Sequence, residues 1–323
     1  MSKYTIGIDL GGTTMTAGLV DESYQIVGKV TWATRLPRPA EDLEQALADL
    51  CRTVAKNAGV SFSDVRYVGI GTPGSVNFTT GFVGYNTNFG YYDWNLGSDL
   101  EGLLGCKVYV ENDANAAAFG EYIAGGAKGC KDAVVITLGT GIGSGIILGG
   151  KILRGFNFAA GEMGHTVIVK GGRPCNCGRR GCWEQYASAN ALKRQTAKAL
   201  AEHPDSILAR VIAENDGHVS GQSAFIAARQ GCEVGQQVCD QYIRYLTVGI
   251  VNIINIFQPD TLAIGGGVSN ESDEQLLLPL RRQVAAHSLP CNYDKMTRIV
   301  KAELGNDAGV IGAALLGKNK RII

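Results

Sequence analysis

One short pattern occurs twice, 128 residues apart: Ile8-Asp9-Leu10-Gly11-Gly12-Thr13 and Ile136-Thr137-Leu138-Gly139-Thr140-Gly141. Each copy is an apolar run of strand length, a glycine turn, and a second run that returns beside the first. At 323 residues the chain has room for about two domains. The economical reading is two related α/β domains facing a shared cleft. Glycine supports it: 44 residues, nearly 14% against a usual share of about 7%. The excess is not periodic, so it belongs to specific turns and ligand loops.

Around these copies the patterning is that of an α/β protein. Lys3–Leu10, Thr14–Val20 and Gln25–Ala33 read as a β-meander, followed by a helix from about Glu41 to Asn57. Val65–Ile70 and Lys107–Val110 read as buried strands, and Ala114–Ile123 as a helix. From Ala133 the strand–turn–strand pattern restarts. Glu184–Ala201 and Ser223–Phe257 are helix-rich and lead to a strand, Thr261–Ile264, and then Gly265-Gly266-Gly267. Asp307–Leu316 is a small-residue helix that could return to the first domain. The polar stretch 203–220 carries no readable role.

Several function classes are disfavoured by charge and hydropathy. Thirty Lys and Arg balance thirty Asp and Glu, so no global field favours nucleic acid or an anionic membrane. The longest apolar stretch, Val248–Phe257, is broken by Gly249, Asn252 and Asn255, well short of the roughly 20 residues of a membrane span. With no secretory leader pattern at the N-terminus, a cytoplasmic location is expected, with the nine cysteines reduced. A tight Cys cluster then points to metal or catalysis.

Three familiar motifs fail their context. Gly145-x4-Gly150-Lys151 has Ile152 where a P-loop has Ser or Thr, and it falls in a hairpin. Gly69-x-Gly71-x-x-Gly74 follows a strand but opens no helix. Ser144 lacks the glycine two residues before it that a nucleophile elbow requires.

Other groups do carry chemistry. A hairpin tip of Gly and Thr exposes backbone amides, and glycine lets phosphate oxygens approach without a Cβ. Asp9 at the first strand's end could hold Mg²⁺ beside those phosphates. The second copy has Thr137 there, so only one copy carries the metal carboxylate. Asn112 and Asp113 fall at the end of a strand and the start of a helix. Asp113 reads either as the helix N-cap or as a carboxylate that accepts a hydroxyl proton in phosphoryl transfer. His165, Cys175, Cys177 and Cys182 place four soft ligands within 18 residues, among glycines that allow tight loops. That donor set suits tetrahedral Zn²⁺, and four protein ligands close the site, making it structural. Glu162 and Glu184 flank it as surface charges or as partners for vicinal hydroxyls.

These motifs occur in one order: Asp9-Leu10-Gly11-Gly12-Thr13, Gly71-Thr72-Pro73-Gly74, Glu111-Asn112-Asp113-Ala114-Asn115, Leu138-Gly139-Thr140-Gly141, Gly161-Glu162-Met163-Gly164-His165 and Cys175-x-Cys177-x4-Cys182. With them the chain resembles the ROK family of sugar kinases (repressors, open reading frames and kinases), most like its bacterial glucokinases, from Ile6 to about Leu316. The resemblance implies a two-domain actin-like (ribonuclease-H-like) ATPase fold with a structural zinc loop. The smaller domain would be 1–115 with the C-terminal helix in 305–323, the larger 116–304. It implies ATP-dependent phosphorylation of a hexose, glucose to glucose 6-phosphate, with Mg²⁺ and structural Zn²⁺. Asp113 would be the catalytic base. The sugar would meet Gly74, Ser75, Thr87 or Asn88, Asn112, Asp113, Glu162, His165 and Glu184. The nucleotide would meet Asp9, Gly11, Gly12, Thr13 and Thr14, then Gly139, Thr140 and Gly141, then Gly265, Gly266 and Gly267. His165, Cys175, Cys177 and Cys182 would hold the zinc. Partners would be sugar and ATP, with no nucleic acid or membrane, in a homo-oligomer (dimer or tetramer).

Trp183, where the family often has Leu, and the aromatic-rich loop 86–94 depart from the pattern beside the expected sugar site. N-acetylmannosamine, fructose and allose kinases share the same motifs. A sugar-responsive repressor of the family would carry a winged helix-turn-helix of roughly 70–80 residues before the kinase-like part, whereas Asp9 is the ninth residue here. An actin-like assembly or chaperone ATPase would leave the Cys cluster and the Glu162/Glu184 pair without purpose.

Overall fold

The computed structural model describes residues 3–86, 89–289 and 295–318. Along the chain come β1 (Tyr4–Leu10), β2 (Thr14–Val20), β3 (Ile26–Ala33), α1 (Ala40–Asn57) and β4 (Val65–Thr72). Then follow β5 (Ser75–Asn77), β6 (Phe82–Asn86), β7 (Tyr91–Trp94), α2 (Leu96–Leu104), β8 (Lys107–Asn112) and α3 (Asp113–Ala124). The restart supplies β9 (Ala133–Leu138), β10 (Ile142–Leu148) and β11 (Lys151–Ile152). Next are α4 (Glu184–Ala187), α5 (Ala189–Glu202), α6 (Ile207–Ala213), α7 (Ser223–Arg229) and α8 (Glu233–Phe257). The chain finishes with β12 (Thr261–Gly265), α9 (Leu277–His287), β13 (Arg298–Lys301) and α10 (Ala308–Leu315).

The repeated pattern is repeated topology. One five-stranded sheet has the order β3-β2-β1-β4-β8, the other β11-β10-β9-β12-β13. Each reads third, second, first, fourth, fifth strand. In the first, β1, β2 and β3 form an antiparallel meander, while β4 and β8 run parallel to β1. In the second, β10–β11 is antiparallel and β12–β13 parallel. The fold is α/β with mixed sheets. A third sheet, β5-β6-β7, is inserted between β4 and α2; the expected aromatic loop at 86–94 takes in the last residue of β6 and all of β7.

Two compact units are resolved: 1–134 with 145–161 and 303–323, and 135–144 with 162–302. This division differs from a boundary at 115/116. In the first unit, α10 lies against α3 and across β1 and β4 through small residues. A Cβ on Gly312 would stand 1.7 Å from the Ala116 carbonyl oxygen. One on Gly7 would stand 1.9 Å from that of Val310, and one on Gly69 1.8 Å from that of Ala313. Part of the glycine excess therefore lets backbones approach, a role that needs no ligand.

On the other side of the first sheet, α1 buries Leu43, Leu47, Leu50, Cys51 and Val54 at helical spacing against Ile6, Ile8, Leu19 and their neighbours. In the second unit, Trp183 is fully buried, donates from Nε1 to the Tyr245 carbonyl at 2.9 Å, and fills the space over Gly249 of α8. It is a core anchor. The polar stretch 203–220 contains α6, whose Leu208, Val211 and Ile212 pack with Ala227 and Cys232. Among the described residues, no helix is long and apolar enough to cross a membrane.

Candidate active site and metal-ligand cluster

In the first unit, parallel pairing lines up Asp9, Gly71 and Glu111 in one row across β1, β4 and β8. Two interstrand spacings separate the ends of that row, roughly 10 Å. Asn112 and Asp113 follow Glu111 at the same edge. Asn112, not Asp113, is the N-cap of α3: its Oδ1 accepts from the amides of Ala114 (3.0 Å) and Asn115 (3.2 Å). The cap thus stands one residue earlier than the sequence suggested. Asp113 is the first helical residue, and its Oδ1 accepts from the Ala114 amide at 2.8 Å.

Both carboxylates are held above the ordinary Asp range. Burial pushes Asp9 up to about 6, the charge of Asp113 adds to the rise, and Lys29 opposes it. Burial also raises Asp113, against the Ala114 amide that favours its charged form. Asp9 further faces the first turn of α10, since a Cβ on Gly309 would stand 3.0 Å from its carboxyl carbon.

The first glycine turn is closed by its own backbone. The Gly11 amide donates to the Thr14 carbonyl at 2.9 Å, and the Thr13 carbonyl accepts from Thr34. The Thr34 hydroxyl donates to the Gly11 carbonyl at 2.7 Å. Thr14 opens β2 with an exposed side chain. Gly11 is therefore a closing donor of the hairpin. Gly74 has φ of 109°, and a Cβ there would stand 2.3 Å from the Tyr85 carbonyl oxygen, so packing alone demands glycine. Its carbonyl accepts from Asn112 Nδ2 at 3.3 Å, which ties it to the Asp113 edge. Ser75 pairs with Tyr85 and is exposed. Thr87 and Asn88 lie outside the described residues.

In the second unit the copy of the turn behaves similarly: the Gly139 amide donates to the Gly141 carbonyl at 3.1 Å. Thr140 is exposed at its tip. Gly141 leaves room for Glu184, whose Oε2 would stand 2.6 Å from a Cβ there. Gly266, with φ of 84°, lies against Leu138, where a Cβ would stand 2.6 Å from the backbone nitrogen. Gly265 is held near Ala302, whereas nothing crowds Gly267. Only part of each glycine group is bare surface.

His165, Cys175, Cys177 and Cys182 converge, with all four ligand atoms within 4.8 Å of one another. The Cys175 sulfur is 3.6 Å from His165 Nδ1, and the Cys177 and Cys182 sulfurs are 3.5 Å apart. Tetrahedral zinc with bonds of about 2.3 Å to sulfur sets ligand atoms roughly 3.7 Å apart, so the donor set fits. The loop is a double hairpin, with Val167 bridging Cys182 and Pro174 bridging Arg180. The Cys175 amide donates to the Arg179 carbonyl, and Arg179 donates to the His165 carbonyl. Glu184 Oε1 lies 3.1 Å from the Cys175 sulfur and 3.9 Å from His165 Nδ1. Glu162 is exposed, and its carbonyl accepts from the His165 amide. Among the described residues every cysteine is free of disulfide.

Sequence reading missed the support under the Asp113 edge. Glu111 is buried: its Oε1 accepts from the Asn112 amide and Asn115 Nδ2, and its Oε2 from Arg154 Nε at 2.6 Å. Arg154, also buried, lies 3.9 Å over the Phe78 ring. Asn86, fully buried, donates to the Thr72 hydroxyl and the Pro73 carbonyl and accepts from the Phe89 amide. A lone Arg between Leu153 and Gly155 was the one available signal for the first.

The ROK family model matches residues 5–320. The chain belongs to the ROK family. Among relatives of this ROK protein, the glucokinase of Streptomyces coelicolor is 39% identical over 317 residues, 97% of each chain. The glucokinase of Halalkalibacterium halodurans is 38% identical, covering 98% of this chain and 96% of the other. A crystal structure of a ROK family glucokinase from Streptomyces griseus, in complex with glucose and AMPPNP, superposes with a TM-score of 0.81 at 36% identity. That match covers 97% of this ROK chain and 98% of the other.

Proposed function

We propose that this ROK protein transfers the γ-phosphoryl group of ATP to a hexose, converting glucose to glucose 6-phosphate. The observation that carries the reading is the pair Asp9 and Asp113. Both are held at one sheet edge with raised proton affinity, in a chain whose near relatives are glucokinases.

Asp113 accepts the proton of the 6-hydroxyl as its oxygen attacks phosphorus. Its raised proton affinity favours that transfer. Asn112, fixed as the α3 cap with Nδ2 on the Gly74 carbonyl, offers the remaining N–H of that amide to the sugar, which also meets Gly74 and Ser75. Glu162, Glu184 and the ring edge of His165 turned from the cysteines orient the remaining hydroxyls. Amides around Gly12, Thr13, Thr14, Thr140 and Gly267 receive the nucleotide phosphates. Asp9 would hold Mg²⁺, which supplies neutralisation of charge on the transferring phosphoryl group. His165, Cys175, Cys177 and Cys182 would hold structural Zn²⁺ and so fix the positions of Glu162 and Glu184. The two sheets of identical strand order support the two-domain actin-like (ribonuclease-H-like) assignment, and the family resemblance implies a homo-oligomer.

The test is ADP release with Mg-ATP across glucose, fructose, allose and N-acetylmannosamine. Glucose should lead by at least tenfold in kcat/KM, about 1.4 kcal/mol. A tenfold lead for another sugar reassigns the substrate, and no stimulation by any sugar removes the kinase reading.

A further inference from the structure

The first unit has a cavity of about 400 Å³ at the edge of its sheet opposite Asp9 and Asp113. Parallel strands β1, β4 and β8 begin beside it, at Tyr4, Val65 and Lys107, and end at the carboxylate edge. Its volume lies in the range of small-molecule sites. Tyr4, Tyr24, Tyr67 and Tyr109 contribute to its walls. Tyr67 and Tyr109 meet edge to face at 5.2 Å, and Tyr67 donates its hydroxyl to the Ala314 carbonyl, which fixes the ring.

Cations converge on this edge from four separate segments: Lys3 ahead of β1, Arg66 on β4, Lys107 on β8 and Lys318 after α10. Asp21 and Glu22 are the acidic residues of the lining, leaving it a surplus of two positive charges in a chain that is neutral overall. The Arg66–Glu22 and Lys107–Glu101 ion pairs are surface-type. Arg66 reaches Glu22 at 3.8 Å, Lys107 bonds Glu101 outside the cavity, and Lys318 lies over the Tyr24 ring with its ammonium on that hydroxyl. Asp21 is occupied by the amides of Ser23 and Gln25.

We propose that this cavity is a second binding site, taking a compact organic phosphate. The phosphate would sit among Lys3, Arg66, Lys107 and Lys318, and its ring would lie against the tyrosine walls. The inference does not rest on the kinase reading, because no residue of the proposed active edge lines the cavity.

Leu315, part of the wall, gives a local probe. The full-length protein with ¹³C-labelled leucine methyls is titrated with AMP, glucose 6-phosphate and inorganic phosphate in turn. At least one organic phosphate should shift the Leu315 methyl signals saturably. The Lys107→Ala/Lys318→Ala protein should bind it about tenfold more weakly or worse, and Lys318→Gln alone should show a smaller loss in the same direction. A response to AMP alone identifies a nucleotide site, and one to glucose 6-phosphate alone a sugar-phosphate site. Asp113→Asn should leave the response intact. No saturable shift at Leu315, an affinity unchanged in both lysine variants, or inorganic phosphate binding as tightly as either organic ligand overturns the proposal.

Discussion

Arg154 Nε donates to Glu111 Oε2 at 2.6 Å, with both side chains buried one residue beneath the Asn112–Asp113 edge. Removing one partner strands a buried charge, which typically costs 3–5 kcal/mol, whereas replacing both with apolar groups costs far less. Arg154→Met should therefore lower unfolding stability by roughly 3 kcal/mol in urea titrations. Glu111→Leu/Arg154→Met should recover most of that loss. Turnover should stay low in the double variant, because Glu111 also accepts from the Asn112 amide. A double variant as unstable as Arg154→Met would contradict the account.

Asp113→Asn keeps the size of the side chain and an oxygen for the Ala114 amide but, under the proposed mechanism, loses the base. Sugar binding should persist by calorimetry while kcat falls by about 10²–10⁴. In the wild type, the raised proton affinity of Asp113 should make the rate drop on acidification at a pH above the ordinary Asp range. An unchanged kcat in Asp113→Asn removes it as the base.

Asp9 gives a stability prediction with a definite sign. Its pKa is about 6 folded and 3.8 unfolded, so the folded state binds the extra proton. The contribution is fully present below pH 3.8 and is lost as pH rises through about 6. At pH 7.5 without nucleotide or Mg²⁺, Asp9→Asn should raise stability by about 1–3 kcal/mol while abolishing turnover. A destabilised Asp9→Asn protein would mean that the carboxylate is favourably solvated in the fold.

Zinc should co-purify at one ion per chain and resist dialysis. Cys182→Ser should lose it and lower Tm by at least about 5 °C. The sugar KM should rise alongside, because Glu184 stands at the Cys175 sulfur. Elemental analysis showing no metal in active protein would remove the zinc assignment.

The duplicated strand–turn–strand pattern was readable because alternation, glycine turns and apolar runs are local signals, and both sheets share one strand order. The metal-ligand cluster was equally local, confined to 165–182. What stayed hidden was long-range. Gly7, Gly69 and Gly312 serve the seat of α10, through contacts spanning roughly 200 to 300 residues of chain that no window of sequence contains. Gly74 and Gly266 stood among the expected ligand glycines, yet their φ values and backbone contacts demand glycine before any ligand does. The cap fell on Asn112, because neighbouring Asn and Asp are equally good caps by composition. α6 was masked by its polar flanks.

The most direct test of the central claim is ³¹P NMR of the purified protein with glucose and Mg-ATP. The account predicts a phosphomonoester resonance coupled to the C6 protons of glucose, growing in step with ADP and absent with Asp113→Asn. ADP accompanied only by inorganic phosphate, or a phosphate on another hydroxyl, would contradict it.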